Sequence, residues 1–211
     1  EDTAEGYYRF CATDYAGNYT GYYYLYYDPV LPEGHIRLKD GTELENGASV
    51  NEAFVFDATD NIGVKEVKVK RPGSAGYASY TDTMSLTTDG EYSFYCVDTA
   101  GNRSETYTVV LDTTPPKLTC SGGSFSGTTD KTFTVSASDV NGAVLFYKTS
   151  EMTSFVRAEG DTYTVNDTSD NGVYCFYAED GLGNQGYAVD RSGQLYGESG
   201  KSGGQRIGVH V

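Results

Sequence analysis

Carboxylates are the side chains of this sequence most often placed where chemistry is possible. Asp14, Asp98 and Asp180 each open the phrase Asp-x-x-Gly-Asn, and Asp57, Asp60 and Asp112 stand at further breaks between apolar runs. Loop carboxylates serve two chemistries. Paired, with one protonated, they act as general acid and base; gathered, their oxygens hold a hard divalent cation. Asp57, Asp60, Asp98 and Asp112 are the set that could gather near one end of the middle repeat. Against a cation, no linker has the dense Asp-x-Asp or Asp-x-Asn-Asp spacing that wraps several oxygens around one ion. Each acid also has a simpler use, because a carboxylate heading a tight turn accepts backbone N–H groups. The expectation is turn formers, with no metal site and no cofactor.

Nucleophilic catalysis is not expected either. A hydroxyl or thiol needs a base within hydrogen-bond reach, usually His, and the chain has only His35, beside a Pro-containing linker, and His210, behind a Gly-rich tail. It holds no Gly-x-Ser-x-Gly elbow and no phosphate-binding loop. Of the four cysteines, Cys11, Cys96 and Cys175 sit three, two and five residues before the Asp of their phrases, so they occupy non-equivalent sites. Cys96 reads as a small buried apolar residue. Cys120 and Cys175 are the one plausible pair, although alternation turns Cys120 inward and Cys175 outward, which a disulfide tolerates poorly. With no Cys-x-x-Cys and two histidines there is no zinc pattern.

Binding has a local candidate in the run Gly21–Tyr27, where Tyr22, Tyr24 and Tyr26 alternate. If Tyr107, Val109 and Leu111 face inward, register turns Tyr23, Leu25 and Tyr27 inward too. Tyr22, Tyr24 and Tyr26 then line the opposite face, with Tyr7 on the adjacent strand. Such an aromatic ridge stacks on sugar rings or anchors a protein partner. The simpler reading is a β-favouring surface, or one covered by a neighbouring domain.

The elements that must position these residues are written as a repeat. One phrase occurs three times, at Tyr8–Asn18, Tyr92–Asn102 and Tyr174–Asn184, with its aspartates 84 and 82 residues apart. That period suits a sandwich of about seven short strands. Residues two, four and six before each Asp are small or apolar: Ala12, Phe10 and Tyr8; Cys96, Phe94 and Tyr92; Ala178, Phe176 and Tyr174. Period two marks one face of a strand turned inward. A second pattern, Phe54 to Gly63 running into Val67 and Val69, recurs as Phe133 to Gly142 running into Val144 and Phe146. Each repeat is thus expected to hold two hairpins.

The Asp-x-x-Gly-Asn phrases, together with Asp112-Thr113-Thr114-Pro115-Pro116 between repeats, resemble the bacterial immunoglobulin-like repeats of surface and secreted proteins. The resemblance implies an all-β fold of tandem immunoglobulin-like β-sandwich domains and an extracellular, cell-surface or secreted location. Asp28-Pro29-Val30-Leu31-Pro32 matches the later linker in position, each lying ten residues after the Asn of its phrase. The expected organisation is a C-terminal hairpin of a partial repeat at 1–31, a complete repeat at 32–114, and another at 115–211 with an irregular tail. The Gly- and Ser-rich stretch 190–205 reads as flexible, and Ile207, Val209 and Val211 as one more strand.

Twenty tyrosines, 26 glycines and a net charge of −15 complete the picture. Such acidity repels phosphate backbones and anionic lipid, so nucleic acid is not an expected partner. No stretch approaches eighteen apolar residues, so direct membrane insertion is not expected. The sequence opens without a basic and apolar leader, so if the parent protein is exported, the expectation is a fragment whose signal and anchor lie elsewhere. The function expected is a non-catalytic spacer whose partners are other domains of the same parent protein. The alternatives are an adhesin module for a glycan or a host or microbial surface protein, and an accessory module of a secreted polysaccharide-degrading enzyme.

Overall fold

The computed structural model describes residues 4–122, 133–149, 151–165, 173–187 and 207–210, and every named element in them is a strand. The chain divides into two compact units, Glu1–Asp112 and Thr113–Val211. The first opens with β1 (Gly6–Phe10) and β2 (Tyr23–Tyr27), an antiparallel pair in which Tyr8 lies opposite Leu25 and Arg9 opposite Tyr24.

Its sandwich follows, in the order β3 (Glu33–Leu38), β4 (Glu43–Leu44), β5 (Ala48–Val50), β6 (Phe54–Thr59), β7 (Val64–Lys70), β8 (Ala78–Ser79), β9 (Gly90–Asp98) and β10 (Tyr107–Leu111). One sheet runs β4-β3-β6 and the other β5-β10-β9-β7-β8, with β5 parallel to β10. The alternation in β6 and β9 explains the layer between them. Phe54 and Phe56 from one sheet meet Tyr92, Phe94, Val109 and Leu111 from the other, and Ile36, Val50, Val69, Tyr80 and Leu86 close the same core. As the pattern predicts, Tyr92, Phe94 and Cys96 are all buried.

The second unit repeats the plan with β11 (Lys117–Ser121), β12 (Phe133–Ser138), β13 (Val144–Thr149), β14 (Val156–Arg157), β15 (Thr162–Val165), β16 (Val173–Glu179), β17 (Gln185–Tyr187) and β18 (Ile207–His210). Its sheets are β11-β12-β15 and β14-β13-β16-β17, and β18 pairs antiparallel with the first half of β16 while β17 pairs with the second. The alternating end of the chain therefore does form a strand. Phe133, Val135, Ala137, Leu145, Tyr174, Phe176 and Ala178 make this unit's own core. Two all-β, immunoglobulin-like sandwiches thus follow one another along the chain. The 190–205 stretch expected to be flexible lies outside the described residues.

Two expectations are corrected. The pattern at 54–69 is not a hairpin: β6 pairs with β3 in one sheet, whereas β7 pairs with β9 in the other. The acidic turn is local and permits either outcome, and burying both faces of the core selects the crossing. In β13 the inward residue is Leu145, with Ala143 and Tyr147 packed against the same core. Phe146 stacks on Tyr177 at 4.7 Å. Tyr23, Leu25 and Tyr27 are exposed rather than inward, as is Phe10, because the β1–β2 ribbon contributes to neither of the two cores among the described residues.

Candidate functional site

The thrice-written phrase builds the same turn three times. In each, one carboxylate oxygen of the Asp accepts the Asn backbone N–H: Asn18 to Asp14 at 2.9 Å, Asn102 to Asp98 at 2.8 Å, Asn184 to Asp180 at 2.9 Å. The other oxygen accepts the Asn side-chain amide at 2.8, 2.8 and 2.7 Å. The glycine before the Asn takes the left-handed backbone that only Gly adopts cheaply, with φ of 88°, 99° and 86° at Gly17, Gly101 and Gly183. Hydrogen bonds from Asn18 hold the Asp14 carboxyl below its usual range. Burial alone would raise Asp98, but the Asn102 side chain and the N–H groups of Asn102, Gly101 and Ala100 outweigh it, and its carboxyl is likewise lowered.

The middle turn does more than close itself. The Asn102 amide also donates to the carbonyl of Asp28 at 2.8 Å and to that of Val30 at 3.1 Å, so it grips the linker after β2. Asn102→Ala leaves those carbonyls and one Asp98 oxygen short of a donor. It is expected to cost about 1–3 kcal/mol in urea denaturation. Asn18→Ala, which removes a side-chain bond at an exposed site, is expected to change stability by less than about 0.5 kcal/mol.

Of the four acids that could have gathered, Asp60 and Asp98 do so, and the third member is Asp28. One carboxylate oxygen from each lies within 4.8 Å of the others. Asp57 is drawn away to the Arg37 guanidinium, which also binds Glu43 at 2.6 Å. Asp60 Oδ2 accepts the N–H groups of Ile62 and Gly63, and Asp28 Oδ1 accepts that of Val30. In the sequence Asp28 reads as a linker residue, and its signal there is its matching place in the repeat.

The three predicted ridge tyrosines divide two and one. Tyr22 and Tyr24 are 51% and 69% exposed, with rings 6.5 Å apart, and Tyr19 extends the row at 6.2 Å from Tyr22. The Arg9 guanidinium lies 4.3 Å from the Tyr22 ring centroid, a cation–π contact. Tyr26 is half-buried. It packs edge-on to Tyr7 at 4.7 Å and donates its hydroxyl to Glu5 at 2.6 Å, a bond that pushes its phenol up to about 12. Arg9 and Tyr19 were not singled out from sequence, although Arg9 stands two residues after Tyr7 and so shares its face.

Catalytic groups are poorly served. His35 Nδ1 lies 3.0 Å from Glu43 and Nε2 lies 3.3 Å from the Thr59 hydroxyl, the order a nucleophile would need. Thr59 is exposed at the end of a sheet, however, and the nearby turn amides of Ile62 and Gly63 are committed to Asp60 rather than available to an oxyanion. Burial pushes the thiols of Cys96 and Cys120 up, away from the thiolate. Cys120 and Cys175 belong to opposite sheets.

No family model matches this sequence, and no curated protein sequence matches it. Among solved structures it is similar to the FN1-FN3 domains of chicken CNTN1, at 12% identity over 97% of this chain and 77% of that one, with a TM-score of 0.27. It is also similar to the fibronectin(III)-like modules of Clostridium thermocellum CbhA, at 12% identity over 79% of this chain and 90% of that one, with a TM-score of 0.31. Likeness at this level carries no argument about ligand or activity.

Proposed function

We propose that this chain is a non-catalytic structural module of a bacterial cell-surface or secreted protein, in which successive sandwich repeats extend or display another domain of the same parent. The observation that carries the reading is the repetition: the same two-layer sandwich is built twice, each with its own core. The grip of Asn102 on the linker carbonyls supports it further, because a hydrogen-bonded linker transmits orientation where a free one would not.

A second reading is favoured by the exposure of Tyr22 and Tyr24, which suits an adhesin face for a glycan or a surface protein. One experiment separates the two. The purified chain and its Tyr22→Ala/Tyr24→Ala/Tyr26→Ala variant are applied to a glycan and extracellular-matrix array, with melting curves checked to match. The spacer reading expects no selective retention of either protein. Selective retention that the triple variant loses would replace it with the adhesin.

A further inference from the structure

We propose that Asp28, Asp60 and Asp98 form a binding site for a divalent cation, calcium by its oxygen-only ligand set. This goes beyond the spacer reading and does not depend on it.

Two observations carry the site independently. The first is the gathering itself: three carboxylates, each with an oxygen within 4.8 Å of the others, from the residue after β2, the turn after β6 and the last residue of β9. None of the ion pairs among the described residues involves them. Like charges this close repel, and burial weakens the screening that would relieve them. The second is a deficit of partners. Asp28 is 5% exposed, yet its Oδ2 accepts no hydrogen bond, and Asp60 Oδ1 is buried and equally unmatched. The opposite oxygens of both residues are satisfied by Val30, Ile62 and Gly63, so the carboxylates are already oriented and the unmatched oxygens are held in place. Oriented, buried, unpaired anionic oxygens are what a hard cation needs and what an uncharged donor leaves under-compensated.

The sparse spacing that argued against a metal applies to a single loop. Here the ligands come from three separate segments, so no short motif announces them. An ion bound there would join the strand β2, through Asp28, to both turns of the sandwich, and so would stiffen the linker already held by Asn102.

The test is a calcium titration of the full chain followed by amide NMR. The expected result is saturable shifts at Val30, Ile62, Gly63 and Asn102, with a Kd on the order of 10⁻⁴ to 10⁻³ M. Asp60→Asn keeps an oxygen for the Ile62 and Gly63 amides but removes the charge, and is expected to weaken binding at least tenfold at these probes while leaving the calcium-free spectrum that of a folded chain. Asp28→Asn serves as the second variant should Asp60→Asn fail to fold. The proposal is overturned if these four amides do not respond to calcium in the wild-type chain, or if a folded variant responds with unchanged affinity.

Discussion

Phe94→Ala is expected to destabilise the first unit by about 3–5 kcal/mol, the cost of removing a large buried aromatic. Phe94 is fully buried at the middle of β9. Its ring stacks on Phe56 at 4.6 Å and meets Tyr80 at 5.4 Å, Phe54 at 6.3 Å and Tyr92 at 6.5 Å. Truncation therefore removes the ring on which both sheets converge, and four stiff neighbours have little freedom to close the gap. Phe94→Leu restores much of the volume without the stacking and is expected to recover more than half of the loss. The measurement is urea denaturation followed by near-ultraviolet circular dichroism. Because the second unit has a separate core, its transition is expected to keep its midpoint. Equal displacement of both transitions would show that the two cores unfold as one.

Gly186→Ala is expected to cost the second unit about 3 kcal/mol, at the upper end for overpacking. A Cβ at this position would stand 1.7 Å from the Pro116 carbonyl oxygen and 2.8 Å from its carbon. Those are backbone atoms, which cannot swing aside as a flexible side chain would. The linker residue Pro116, or β17 itself, must move, and β17 is held to β16 by a ladder of only three residues from Tyr177 to Glu179. Gly183→Ala makes the contrast. Gly183 has a φ of 86° and nothing near its missing Cβ, so its cost is conformational and about 1 kcal/mol. Hydrogen exchange at the β17 amides distinguishes the two: Gly186→Ala is expected to lose their protection, whereas Gly183→Ala leaves most of it. Similar protection in both variants would show that Pro116 yields without strain.

The parts of this protein legible from sequence are those governed by near neighbours. Asp14, Asp98 and Asp180 find their acceptor roles within four residues, and a turn closed by Asp, Gly and Asn needs nothing from the rest of the chain. The same holds for β9 and β16, where the residues two, four and six before the Asp are small or apolar in both copies, Cys96, Phe94 and Tyr92 in one and Ala178, Phe176 and Tyr174 in the other, and all six are buried. The tyrosines of β2 show the limit. Alternation separates Tyr22, Tyr24 and Tyr26 from Tyr23, Leu25 and Tyr27, but which set is covered depends on a second layer, and β1 and β2 have none among the described strands.

The all-β class, the repeat, the three Asp-x-x-Gly-Asn turns and the inward stripes of β9 and β16 are legible in the residues alone, because each follows from contacts within a few residues or from a two-residue period. Long-range packing is what places β6 and β7 in opposite sheets, turns Leu145 rather than Val144 and Phe146 to the core, and brings Asp28 to Asp60 and Asp98. In the first two cases the local sequence is compatible with both answers, since a turn closes equally well between or within sheets and both alternating sets of β13 are apolar. In the third, the aspartates are separated by more than thirty residues at each step, and nothing short of packing two sheets and a linker together brings their oxygens within reach of one ion.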